Sequence, residues 1–176
     1  MSKRTARPLL IVGTLLLALS FPVVAERADD SERASKNGTL QASIDGVQIQ
    51  IEYGRPKVKG RTVWGALVPN GKPWRTGADE ATTIKLDADA KINGESLSAG
   101  TYSLFTIPGE SEWTFVFNSV AQQWGAFSYD AGQDVLRVTS SPKAVDHTEE
   151  LEFLAMEGSI VLRWEKLAVG FEVEAD

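Results

Sequence analysis

Apolar side chains in this chain recur at every second residue, in segment after segment. Val47, Ile49, Ile51 and Tyr53 alternate with Gln48, Gln50 and Glu52, the pattern of a strand with one buried and one wet face. The same alternation runs through Trp113, Phe115 and Phe117, through Leu151 and Phe153, through Ile160, Leu162 and Trp164, and through Val169, Phe171 and Val173. No stretch carries apolar residues at i, i+3, i+4 and i+7 for long enough to make a core helix. Turn chemistry falls between the runs. Asn93-Gly94 splits Ala90 to Ile92 from Glu95 to Leu97 and favours a type I′ hairpin, which needs positive φ at both central residues. Pro108-Gly109-Glu110 and Glu157-Gly158 punctuate two further hairpins. About eight to ten short strands at this spacing predict an all-β fold, an antiparallel, jelly-roll-like β-sandwich with one long ordered loop.

The N-terminus reads differently. Lys3, Arg4 and Arg7 precede an apolar run from Leu9 to Phe21, and Val23-Val24-Ala25 places small or β-branched residues where a signal peptidase needs them. Residues 1–25 therefore read as a signal peptide cleaved after Ala25. The 13-residue apolar run falls short of the roughly 18 to 20 residues that span a bilayer as a helix. The expected mature protein is exported, periplasmic or extracellular, with no transmembrane segment. From Glu26 to Lys36 the chain is dense in charge without a large apolar residue, so burial does not repay its ordering entropy. Residues 26–38 read as a disordered leader and 39–176 as a single β-sandwich domain.

Charge and composition exclude several functions. Removing Lys3, Arg4 and Arg7, with no acidic residue among the first 25, takes the formal charge from −6 to −9. A basic face for nucleic acid is not available. With no Cys and one His, disulfides, thiolate chemistry and multi-histidine metal cages are out, and no metal or cofactor is expected. Oligomeric state is not legible.

One region breaks the alternation. Gly54 to Ala81 holds three of the seven Pro, five Gly, two Trp and six Lys or Arg in 28 residues, too long and too punctuated for an ordinary connection. It reads as an ordered excursion over one end of the sandwich, with a helical or 3₁₀ turn near Trp64. Around it lie Tyr53-Gly-Arg-Pro56, Lys59-Gly-Arg-Thr-Val-Trp-Gly65, Trp74-Arg-Thr-Gly-Ala-Asp-Glu-Ala-Thr82, Ala99-Gly-Thr-Tyr-Ser-Leu104, Trp113 and Gln123-Trp-Gly125. In this order, from about Ile44 to Trp164, these motifs resemble the bacterial exported family named domain of unknown function 2911. The resemblance implies an exported, mostly β protein; it brings no activity, cofactor or catalytic residue. Asp79 stands where the family's Gly-Ala-Asn-Glu stretch often has Asn.

Candidate site residues cluster in and beside the excursion. Arg55, Arg61 and Arg75 sit in Gly- or Pro-restricted contexts and offer planar donor forks for carboxylate or phosphate. Trp74 and Trp124 could form a stacking wall, whereas Trp113 and Trp164 alternate with core residues. Tyr53 opens the excursion, and Tyr102 and Asn118 lie on opposite arms of one predicted hairpin. Asp79 and Glu80 would orient the arginines. The leading expectation is a small polar or anionic ligand, or a glycan, bound through Tyr53 to Glu80. An alternative is a hydrolase with Asp79 or Glu80 as acid or base, helped by a distant carboxylate such as Asp130 or Asp134 and by an arginine facing developing negative charge. A third reading pairs all these residues internally, with Trp74 buried, Arg75 on Asp79 or Glu80, and Gly77 at positive φ. Three motifs carry nothing: Gly54 to Thr62 has the wrong spacing for a phosphate loop, Lys91 spoils a calcium loop opening at Asp87, and His147 lacks a convergent triad.

Overall fold

A computed structural model describes Arg27 and residues 29–176; the expected signal peptide lies outside the described residues. Ten strands run in the order β1 (Lys36–Ile44), β2 (Val47–Arg55), β3 (Thr82–Leu86), β4 (Ala90–Ile92), β5 (Glu95–Leu97), β6 (Gly100–Ile107), β7 (Trp113–Asn118), β8 (Asp134–Ser140), β9 (Lys143–Met156) and β10 (Ser159–Ala175). They form two antiparallel sheets, six strands in the order β1-β2-β3-β6-β7-β8 and four in the order β5-β4-β10-β9. The chain is an all-β sandwich, as the alternation requires, and its sheets do not close into a barrel. The β4–β5 hairpin leaves the large sheet after β3 and joins the small one, so consecutive strands bridge the two layers.

Local chemistry explains the joints. Asn93 and Gly94 have φ of 49° and 84°, the left-handed pair that a type I′ turn demands. Asp45-Gly46 (φ 48° and 87°) and Glu157-Gly158 (φ 46° and 81°) repeat the device at β1–β2 and β9–β10. The core lies between the layers: Ile51, Ile84, Leu104, Phe115 and Phe117 of the large sheet meet Leu151, Leu162, Trp164 and Phe171 of the small one, all at 2% exposure or less. Phe171 stands edge-on to both Phe115 and Phe117, with centroids 5.0 and 5.5 Å apart.

Two details differ from the sequence reading. The segments Ile160–Glu165 and Val169–Val173 form a single strand, bent where Glu165 takes φ 55° between two register shifts. The expected leader overlaps the fold, because β1 begins at Lys36 and the preceding residues lie against the domain. Their order comes from polar contacts that apolar counting does not register: Asp30 accepts from the Asn37 N–H at 2.7 Å, and Lys36 Nζ donates to the Asp30 carbonyl at 2.6 Å.

Candidate functional site

The excursion is wedged into one end of the sandwich. It leaves β2 against the small sheet, where Val58 N–H donates to the Glu149 carbonyl and Leu151 N–H to the Pro56 carbonyl, at 2.9 and 3.0 Å. It returns against the large sheet, where Trp74 and Thr106 exchange backbone hydrogen bonds of 2.8 and 2.9 Å. Between these points Trp64 stands edge-on to Trp74, Trp113 and Trp164 at 6.0, 4.9 and 5.6 Å, and Trp74 stacks on Trp164 at 5.9 Å. Two indoles of the excursion thus lock to one from each sheet. Near Trp64 the chain makes a turn but no helix: Ala66 N–H reaches Val63 O at 3.4 Å in 3₁₀ fashion, Val68 N–H also reaches Val63 O, and Gly65 N–H donates to Val68 O.

The returning limb touches β2 backbone to backbone. A Cβ on Gly54 would stand 2.3 Å from the Ala78 carbonyl oxygen, and one on Gly77 would stand 2.9 Å from that of Gly54. Gly77 is required for close approach, not for the positive φ expected of it. That conformation belongs to Thr76 (φ 54°) and Asp79 (φ 62°). Buried Thr76 donates to the Trp74 carbonyl at 3.2 Å, and Thr82 donates to the Thr76 carbonyl at 2.9 Å, so both buried hydroxyls of the bend find acceptors within the protein.

A second layer covers the outer face of the large sheet. Phe105 and Val116 point away from the main core and pack with Ala81 beneath Ala126 and Tyr129. The loop that brings them runs from Ser119 to Gln133 and is pinned by Gln123, whose Nε2 donates to Ser103, Asn118 and the Val120 carbonyl. Its backbone pairs with the end of the excursion: Ala81 N–H donates to Gln123 O at 2.9 Å and Gly125 N–H to Asp79 O at 3.0 Å. Glu80 and Trp124 face each other across that bridge. Trp124 is 60% exposed and Phe127 90%.

The three arginines do not converge. Arg55 pairs with Glu150 of β9 at 3.6 Å, beside Lys57 at 3.1 Å. Arg61 folds back on its own loop, donating to the Val58 carbonyl at 3.0 Å and to that of Lys57. Arg75 alone makes no side-chain hydrogen bond or ion pair among the described residues, and its Nε is buried without an acceptor. The Trp74–Thr106 pairing sets Arg75 level with Phe105 on the outer face, and burial lowers its pKa against the opposing pull of Asp79.

The aromatic and amide candidates also separate. Trp74 is 8% exposed and donates to Gly77 O at 3.1 Å, so it belongs to the core. Tyr53 joins the layers, its hydroxyl accepting from Phe153 N–H at 3.2 Å while burial raises its pKa. Tyr102 faces inward against Phe117 and donates to Ser98 O, whereas Asn118 sits opposite Ser103 on the outer face. The two do not project together. Asn118 instead holds the loop of Trp124. Asp134 accepts from Asn118, Tyr129 and Arg137, and Asp130 caps the 3₁₀ turn at Ala131–Gln133, so neither stands free as a partner for Glu80.

Glu80 is already occupied. Arg33 donates to both of its carboxylate oxygens, and Arg27 adds a contact of 3.3 Å. Hydrogen bonding from Arg33 is the main reason the carboxyl is held down to about 2. Arg33 also lies 3.6 Å from Asp79.

The model of the family described as protein of unknown function DUF2911 matches residues 35–173. The chain belongs to that family. No curated protein and no solved structure matches. In this DUF2911 member the left-handed backbone at Asp79 (φ 62°) suits an Asp, since Asp and Asn tolerate that conformation better than other non-glycine residues. The matched segment contains the excursion, the covering loop and all nine candidate binding residues. It begins after Arg27 and Arg33, which the sequence reading missed. Their only signal was two arginines in a charge-dense leader. Gln123 and Phe127 were also missed, because a loop gives no periodicity from which to assign a face.

Proposed function

We propose that this DUF2911 protein is an exported, non-enzymatic binding protein that takes an acidic sugar, or a comparably small carboxylate-bearing molecule, at Arg75, Asp79 and Trp124. The observation that carries this reading is the Arg75 guanidinium, without a side-chain hydrogen bond or ion pair among the described residues, in an excursion whose last residues pair with the loop of a largely exposed indole. A flat, exposed indole suits the apolar face of a pyranose ring, and a planar guanidinium in a partly dehydrated setting suits its carboxylate. The Asp79 charge acts on Arg75 without a direct hydrogen bond. Export is supported by Lys3, Arg4, Arg7, the Leu9–Phe21 run and Val23-Val24-Ala25.

A hydrolase built on Glu80 is less well supported. A carboxyl held near 2 by two guanidinium groups is ionised at neutral pH, and its lone pairs are already engaged. It is a poor proton donor and a poor base. The experiment is a thermal-shift series on the purified protein with glucuronate, glucose, acetate and phosphate. At about 100 times Kd, a ligand specific for the folded state contributes about 2.7 kcal/mol, a rise of several degrees for a domain of this size. Glucuronate should raise Tm more than glucose or acetate alone, and Arg75→Ala and Trp124→Ala should each remove the effect. No shift with any of the four compounds refutes the reading.

A further inference from the structure

Arg27 occupies a receptor built for a guanidinium. Its Nε donates to Asn37 Oδ1 at 3.2 Å, and one terminal nitrogen donates to the carbonyls of Glu52 and Ala81 at 3.2 and 3.3 Å. The other terminal nitrogen donates to the Glu80 carbonyl at 2.9 Å and to its carboxylate at 3.3 Å. Three backbone carbonyls, one amide oxygen and one carboxylate thus face the five N–H groups of the fork. The side chain is 9% exposed. A lysine ammonium, with three donors at a point, does not reach acceptors spread in this way.

The receptor belongs to the fold and not to the segment that fills it. Glu52 is paired with Thr39 and Thr83 in the middle of the large sheet, and Asn37 is paired with Gly54. Ala81 is held by Gln123, and Glu80 lies across the bridge from Trp124. The tenant is a short tether whose described residues, Arg27 and 29–35, add nothing to the core cluster. If the tether leaves, the acceptors remain in place, facing water and carrying the Glu80 charge.

We infer that this pocket is a guanidinium-binding site in its own right, filled in cis by Arg27 with Arg33 beside it, and able to take an arginine side chain presented in trans. Glu80 carries the charge recognition, and the three carbonyls read the planar fork. This site is distinct from the Arg75 site proposed above, and of the opposite sign.

Agmatine, a guanidinium on an aliphatic stem that ends in an ammonium, is the probe, and cadaverine, with an ammonium in place of the guanidinium, is the control. In the full chain carrying Arg27→Ala and Arg33→Ala, agmatine should bind saturably and raise Tm by about 2 to 4 °C at concentrations several times Kd. Cadaverine should not. Glu80→Gln in that background should abolish the response, and the unsubstituted protein should respond far more weakly because its site is filled. If the double variant lacks a cooperative transition, Arg27→Ala alone serves, and agmatine should restore its Tm towards that of the parent. A folded variant that ignores agmatine, responds equally to cadaverine, or responds unchanged after Glu80→Gln overturns the inference. Glucuronate binding does not depend on this result, so the two proposals fail separately.

Discussion

Replacing Glu80 by Gln removes one charge and keeps the size of the side chain. In the folded protein the carboxyl sits at about 2 against an ordinary value of 4.5, so the folded state prefers it ionised. Because the folded value is the lower one, the associated stability is complete above about pH 4.5 and is lost as pH falls towards 2. That span corresponds to roughly 3.4 kcal/mol if all of it appeared as stability. The side chain is 24% exposed, and solvent screening at that depth leaves about 1 to 2 kcal/mol at pH 7. Gln keeps one acceptor oxygen but turns an amide NH₂ towards a guanidinium donor, so the loss combines the charge with one of the carboxylate's hydrogen bonds. Urea unfolding of parent and Glu80→Gln, followed by tryptophan fluorescence, should show that difference at pH 7 and almost none at pH 2. It should also shrink in 1 M salt, where screening is about three times shorter-ranged than at 0.1 M. An equal loss at both pH values, or no loss at pH 7, would refute the ion-pair account of how the N-terminal segment is held.

Gly54→Ala should cost at least about 1 to 3 kcal/mol by urea unfolding, because the added Cβ meets the Ala78 carbonyl, which belongs to a pinned backbone and cannot swing aside. Asp79→Asn should stay within about 0.5 kcal/mol of the parent; Asp79→Val, with a β-branched side chain at φ 62°, should lose about 1 to 2 kcal/mol. Trp74→Ala should destabilise by about 3 to 5 kcal/mol as a core truncation. Trp124→Ala should leave stability within about 0.5 kcal/mol and remove only the ligand-dependent rise in Tm.

The architecture was legible where physics is local. The period-two runs placed β2, β7 and the β4–β5 hairpin, because each strand has one dry face and each turn residue sits at the φ its type requires. Asp45-Gly46 is the same kind of signal, and it marks the β1–β2 turn that apolar alternation alone passes over. The division of labour within the excursion was not legible. Trp74 and Trp124 look alike in sequence, and only the stacking of Trp74 on Trp164 tells core from surface. Arg55, Arg61 and Arg75 each sit within two residues of Gly or Pro, yet what separates them is which acceptors come within reach: Glu150 of β9 for Arg55, its own loop's carbonyls for Arg61 and none among the described residues for Arg75. The leader hid its role for the same reason: its stabilisation comes from carbonyls and a carboxylate supplied by β2 and the excursion, which hydropathy does not see.

The central claim is that Arg75 and Trp124 form one ligand site. Proton–nitrogen correlation spectra read it directly, because the Arg75 Nε–H and the five indole N–H groups give separate signals. On titration with glucuronate, the account predicts that the Arg75 and Trp124 signals move together with a single Kd, while those of Trp64, Trp74, Trp113 and Trp164 stay fixed. Stationary Arg75 and Trp124 signals, or movement confined to Arg55 and Arg61, would contradict it.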